Sequence, residues 1–129
     1  MRRLRSDSGA VAVEFALVMV PLLLILLGII DFGRAFTNQL AVTAAAREGV
    51  RTMAIQNDAA KATQATKDAA QQLSPKLTTS QISIFPATCS SGASVTVTVT
   101  YPLTSATGMF SSTFSCKNLV GTAVMRCNG

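Results

Sequence analysis

Between Ala10 and Ile30 the chain runs AVAVEFALVMVPLLLILLGII, an unbroken apolar block of 21 residues whose single charge is Glu14. Wound as a helix, such a block is about 31 Å long, the thickness of a bilayer's hydrocarbon core. Its flanks are polar, MRRLRSDSG before it and DFGR after it. A soluble core helix with no polar stripe over six turns is out of place in so small a chain, so the block reads as a transmembrane helix. Arg2, Arg3 and Arg5 precede it and are expected to stay in the cytoplasm. Asp31 and Arg34 follow it and roughly cancel. Everything after Ile30 is then expected on the far side of the cytoplasmic (inner) membrane, and that remainder is long enough for one small core.

A secretory signal peptide is the rival reading of the same basic start. Its apolar stretch runs to about 7–15 residues, shorter than this one. Gly33-Arg34-Ala35 has the small-x-small form of a cleavage site, with an arginine in its middle. Cleavage there would start the protein near Phe36.

The rest of the composition removes functions. There is no histidine, which excludes histidine triads, histidine metal sites and histidine general bases together. The six acidic residues are scattered and form no catalytic pair. Cys89, Cys116 and Cys127 include no CxxC, so neither a metal nor a redox site is indicated. Of the net charge of +5, Arg2, Arg3 and Arg5 supply much within the first five residues. No basic stripe or stacking aromatics follow, so nucleic acid is not expected as a direct ligand. Neither catalysis nor a cofactor is expected.

Two residues inside the apolar block require an account. A carboxylate such as Glu14 costs several kcal/mol in lipid unless paired or near the interface. Pro21 removes a backbone donor in mid-helix and invites a kink. A bland explanation exists for both: Glu14 is near the cytoplasmic edge, and prolines are tolerated in membrane helices. A functional explanation stands beside it. The string Gly9-Ala10-Val11-Ala12-Val13-Glu14-Phe15 resembles the processing site of type IV prepilins, in which a membrane-embedded aspartyl peptidase cuts after the glycine. The resemblance implies a cut between Gly9 and Ala10, removing residues 1–9 as a leader. A residue without Cβ lets a protease approach the scissile backbone closely. The cut would leave an α-ammonium on Ala10, and the resemblance implies that Glu14 pairs with the N-terminal amine of a neighbouring subunit. Two opposite charges in an apolar bundle are favoured over either alone, and the dipole of the new helix terminus favours the carboxylate as well.

The resemblance narrows further. Gly9, the Glu14-Phe15 pair, Pro21, the Asp31-Phe32-Gly33 exit and the segment Ala45-Ala46-Arg47-Glu48-Gly49-Val50-Arg51 together resemble the TadE-like family. These are minor pilins, or pseudopilins, of the tight-adherence (Tad/Flp, type IVc) pilus apparatus. The aromatic at position 15 is often Tyr in Flp-type prepilins; Phe15 keeps the ring and lacks the hydroxyl. The resemblance implies assembly roles for Glu14, Phe15 and Pro21. It implies as partners the major and minor pilins, a prepilin peptidase, and an inner-membrane assembly platform with its ATPase, beside membrane lipid. It implies a path from the cytoplasmic membrane to the pilus at the cell surface.

Beyond the span, an α+β fold is expected. The long N-terminal helix continues over 31–56, with Val42, Ala46, Gly49, Val50 and Met53 on one apolar face. Arg47 and Arg51 sit on another, solvated face. A break near Gln56-Asn57-Asp58 lets Asn57 or Asp58 cap a second helix. That helix is predicted to about Leu73, with Ile55, Ala59, Ala62, Ala65, Ala69 and Leu73 on one stripe, ended by Ser74-Pro75. Period-two alternation then predicts strands at Ile82–Ile84 and Val95–Tyr101, and the apolar run Leu119–Met125 a third. The exported domain, 57–129, is thus expected to pack its helix on a roughly three-stranded antiparallel sheet. Met109, Phe110 and Phe114, in a Ser/Thr-rich connection, either cap the core or form a contact patch. Cysteines in an exported domain suggest one disulfide and one leftover thiol. An extended strand would hold Cys116 and Cys127 too far apart. Cys89 with Cys127 or Cys89 with Cys116 remain, and the odd cysteine is available to bridge subunits.

Overall fold

The computed structural model describes residues 8–105, 107–108 and 117–127. The leader arginines Arg2, Arg3 and Arg5, the loop residues Met109, Phe110 and Phe114, and Cys116 lie outside them. Helix α1 spans Ser8–Gln56 and α2 spans Ala59–Ala69; strands β1, β2 and β3 span Ile82–Phe85, Ser94–Pro102 and Asn118–Arg126. The strands form one antiparallel sheet in the order β1-β2-β3. Ile84 faces Val97 across the first pair, and Val97 faces Ala123 across the second.

The two halves of α1 have opposite surroundings. Its lower half is long and apolar enough to cross a membrane, and none of the most apolar window is buried. Its upper half turns Ala41, Val42, Ala45, Ala46, Val50 and Met53 into a core shared with Val95, Val97, Val99 and Tyr101 of β2. Each fully buried valine of that set contributes about 1.5–3 kcal/mol relative to exposure. The segment 31–56 is therefore part of the domain core itself. α1 covers β2 and β3, while α2 lies along α1 and reaches β1.

Helix α1 stops where Asn57 takes a left-handed conformation, φ 49°, a terminus that Asn tolerates better than most residues. Asp58 then caps α2, its Oδ1 accepting from the amides of Ala60 and Lys61 at 2.9 and 3.1 Å. The second helix ends earlier than the pattern predicts. The Ala70 amide bonds back to the Lys67 carbonyl and the Leu73 amide to Ala70, turning the chain so that Leu73 is buried beyond the helix. Ile55 leaves the expected stripe: it belongs to α1 and faces outward, because the break at Asn57 resets the helical phase. The buried face of α2 carries Ala62 and Thr66, whose hydroxyl donates to the Ala62 carbonyl at 2.8 Å.

Two glycines permit this packing. A Cβ on Gly121 would stand 2.6 Å from the Val42 carbonyl, and one on Gly49 would run into the Thr66 hydroxyl. The first sets how closely α1 approaches β3 and the second how closely α2 approaches α1. At the end of the domain away from the span, Cys89 and Cys127 form a disulfide, with Cα atoms 5.6 Å apart and a sequence separation of 38. Closing a loop of that length stabilises the fold by about 3–4 kcal/mol on the chain-entropy account.

Tyr101 is fully buried and its hydroxyl donates to the Pro75 carbonyl at 2.8 Å. Burial pushes its phenol above the usual value near 10, and the Arg34 guanidinium partly opposes that. The folded state therefore holds the proton more tightly than the unfolded state. The resulting stability is complete below pH 10 and is lost as pH rises through the folded value. Tyr101→Phe is expected to flatten the alkaline fall in thermal midpoint relative to the wild type, read by circular dichroism in detergent between pH 9 and about 11. Gly121→Val, which drives a branched side chain at the α1 backbone, is expected to cost about 3 kcal/mol or more. A denaturant midpoint equal to that of the wild type would contradict the close approach.

Candidate functional site

The residues singled out in the N-terminal segment lie on the first turns of α1. Gly9 and Ala10 are in its first turn and both are exposed. A Cβ built on Gly9 meets nothing within 4 Å, so nothing in the fold requires glycine there. Glu14 is exposed on the next turn and makes no hydrogen bond or ion pair among the described residues. Phe15 beside it is 64% exposed. Helix α1 continues through Pro21, whose ring leaves the Leu17 carbonyl without its usual donor.

These residues share a helix but make no contact with the sheet. Around them, Val11, Val18, Leu22 and Ile25 are all exposed. Eighteen residues make five full turns of an α-helix, so Glu14 and Phe32 lie on one face. Phe36 and Leu40 follow on the adjoining rows, and all three are exposed above the span. One lone carboxylate thus stands at the foot of a continuous apolar face for which the fold supplies no cover.

A second feature, which the sequence reading did not find, lies where the span ends. Asp31 is buried, 4% exposed. Its Oδ2 accepts from the hydroxyls of Ser105 and Thr107, each at 2.7 Å, and its Oδ1 accepts from the Thr107 amide at 3.1 Å. The Ser105 hydroxyl also accepts from the Gly108 amide at 3.1 Å. Asp31 therefore clasps the start of the β2–β3 connection against α1, immediately above the apolar block. The available signal was an acid directly after the span and a Ser/Thr-rich connection far along the chain, with nothing in the sequence to join them.

Cys89 and Cys127 are brought together far from this region, and the Cys89 amide donates to Asn57 Oδ1 at 2.5 Å beside them. Among the described residues, no cluster of His, Cys, Asp or Glu could hold a metal ion. Lys61 and Asp58 form an ion pair at 4.0 Å on the surface.

With this geometry in place, comparison with known families adds one match: residues 9–51 fit the model described as TadE-like protein. The match covers the whole apolar block, the Asp31 exit and the half of α1 that carries Val42, Ala46 and Gly49. Its TadE-like segment supports involvement in Tad pilus systems. No curated protein and no solved structure matches the chain.

Asp31→Ala would leave the Ser105 and Thr107 donors without a charged acceptor, each such bond being worth about 1.5–3 kcal/mol. It is expected to lower the thermal midpoint and to speed exchange of the Thr107 amide by at least about tenfold, read by hydrogen exchange. Unchanged Thr107 protection would refute the clasp.

Proposed function

We propose that this chain is a minor pilin or pseudopilin of a Tad/Flp-type pilus, a structural subunit without catalytic activity of its own. A prepilin peptidase removes residues 1–9 by cutting between Gly9 and Ala10. The mature protein then waits in the cytoplasmic membrane as a single-pass subunit with its α+β domain outside. From there the assembly platform and its ATPase move it into a fibre of major and minor pilins at the cell surface.

The observation that carries this reading is the uncovered helix with one lone acid. A carboxylate in an apolar, lipid-length face is costly by itself, and the fold gives Glu14 no partner. Cleavage after Gly9 would create an α-ammonium four residues before it on every copy. A neighbour's amine then satisfies Glu14 and fixes the axial register between subunits, since a one-turn slip leaves both charges unpaired in an apolar bundle. Gly9 supports the cleavage, being a glycine that packing does not demand. The TadE-like match over residues 9–51 supports the class of assembly. Phe15 and Pro21 belong to the same face-forming segment and are read as packing and shaping residues of the assembled helix.

A generic single-pass membrane protein with a partner-binding outer domain is the second reading; it leaves Glu14 without a role. Replacing Glu14 by Ala separates the two. The variant is expected to reach the membrane at normal level and to drop at least about tenfold in sheared fibre fractions, measured by quantitative immunoblotting. Normal incorporation would remove the pairing role.

A further inference from the structure

Strand β3 is an edge of the sheet, and its free side is open at Thr122 and Val124. The Cys127 amide donates to the Ala93 carbonyl at 2.8 Å, and the Leu103 amide to the Lys117 carbonyl at 3.0 Å. In an antiparallel pair the facing and outward residues alternate. Odd-numbered residues of β3 therefore bond to β2, and Val120, Thr122 and Val124 turn their N–H and C=O groups to the edge. The Val120 carbonyl confirms the phase by accepting from Gln39 Nε2 at 3.0 Å. Among the described residues, the edge groups of Thr122 and Val124 have no partner. Edge strands are usually blunted by proline, lysine, a bulge or a covering loop. Between Asn118 and Met125 there is no proline and no charge, and Val120 and Val124 are exposed at 50% and 62%.

Beside this edge runs a groove of about 800 Å³ between β3 and α1. Leu40, Ala44 and Met125 give it apolar walls, and Arg47 and Arg51 stand on its rim one helical turn apart. Neither arginine is in an ion pair among the described residues, and Glu48 alone offsets them. We propose that the β3 edge and this groove receive an extended segment of a partner protein, added as a fourth strand. The segment pairs its backbone with Thr122 and Val124, places apolar side chains against Leu40 and Met125, and sets a carboxylate against Arg47 and Arg51.

A symmetric second copy does not fit the edge. β3 runs in the same sense as α1, with Val120 beside Gln39 and Gly121 beside Val42. Antiparallel pairing of two β3 strands would point the two α1 helices in opposite directions. Copies anchored in one membrane cannot adopt that arrangement. The occupant is therefore not a two-fold-related β3, and the surplus of Arg47 and Arg51 over Glu48 in the groove favours an acidic segment.

The test uses the full chain in nanodiscs and a synthetic peptide of about seven residues, the span of an ordinary strand, with valines alternating with threonine and two glutamates. Saturable binding is expected, with slowed amide exchange at Thr122 and Val124. Joint replacement of Arg47→Glu and Arg51→Glu is expected to weaken the Glu peptide by about tenfold or more and to favour its Lys counterpart. Thr122→Pro removes an outward N–H that the fold does not use, so it is expected to abolish binding at an unchanged thermal midpoint. Equal binding of the Glu and Lys peptides would overturn the proposal, as would unaltered exchange at Thr122 and Val124. Concentration-dependent protection of those amides without peptide would also overturn it, assigning the edge to a second copy instead.

Discussion

The approach of α1 to β3 at Gly121 is the constraint on which the rest of the molecule depends. With the Val42 carbonyl 2.6 Å from where a side chain would begin, helix and strand are as close as backbones allow. That contact makes a membrane-length helix the main covering layer of a small sheet. Among the described residues no independent helix is large enough to do so: α2 is short, and its buried face is Ala62 and Thr66. The folded domain and the apolar helix are therefore one object. Val42, Ala46 and Met53 of the same helix lie in the core. Asp31 reinforces this at the point of exit, where it fastens the β2–β3 connection to the helix. The disulfide closes the opposite end of the domain.

This division of one helix explains why its halves read so differently. Above the span, small residues allow close packing, and burial of β2's valines supplies the main stabilisation. Along the span, large apolar residues face outward on every side, and the single acid has nothing to meet. An isolated copy is stable in lipid only at the cost of that acid. On the proposed reading, a fibre of parallel copies removes the cost by bringing an amine to each carboxylate. On the proposed reading, assembly is driven by the mismatch between a well-satisfied domain and an unsatisfied anchor.

Much of this was legible in the residues. The apolar block was, because a run of that length with no polar stripe is unusual as a core helix in so small a domain. So was the β2 alternation of Val and Thr, since period two with β-branched residues has few other uses. The helix break at Asn57-Asp58 could be read from capping chemistry. What stayed hidden were relations between distant positions. The helical pattern places Gly49 on the apolar face without showing that it meets Thr66, and nothing distinguishes Gly121 from Gly28, which touches nothing. The Asp31 clasp joins residues 74 and 76 apart, and a single acid after a span is equally consistent with an ordinary polar flank. That α1 covers most of the sheet follows from close backbone approach, which hydrophobic periodicity does not encode.

The central claim is that the lone acid is tolerated because cleavage gives each subunit a positive terminus inside the bilayer. It is tested most directly by the intact mass of the protein extracted from its native envelope, beside a strain lacking the prepilin peptidase. The account predicts a chain beginning at Ala10 in the first strain and an uncut leader in the second. A mature protein that keeps Arg2, Arg3 and Arg5 in both would contradict it.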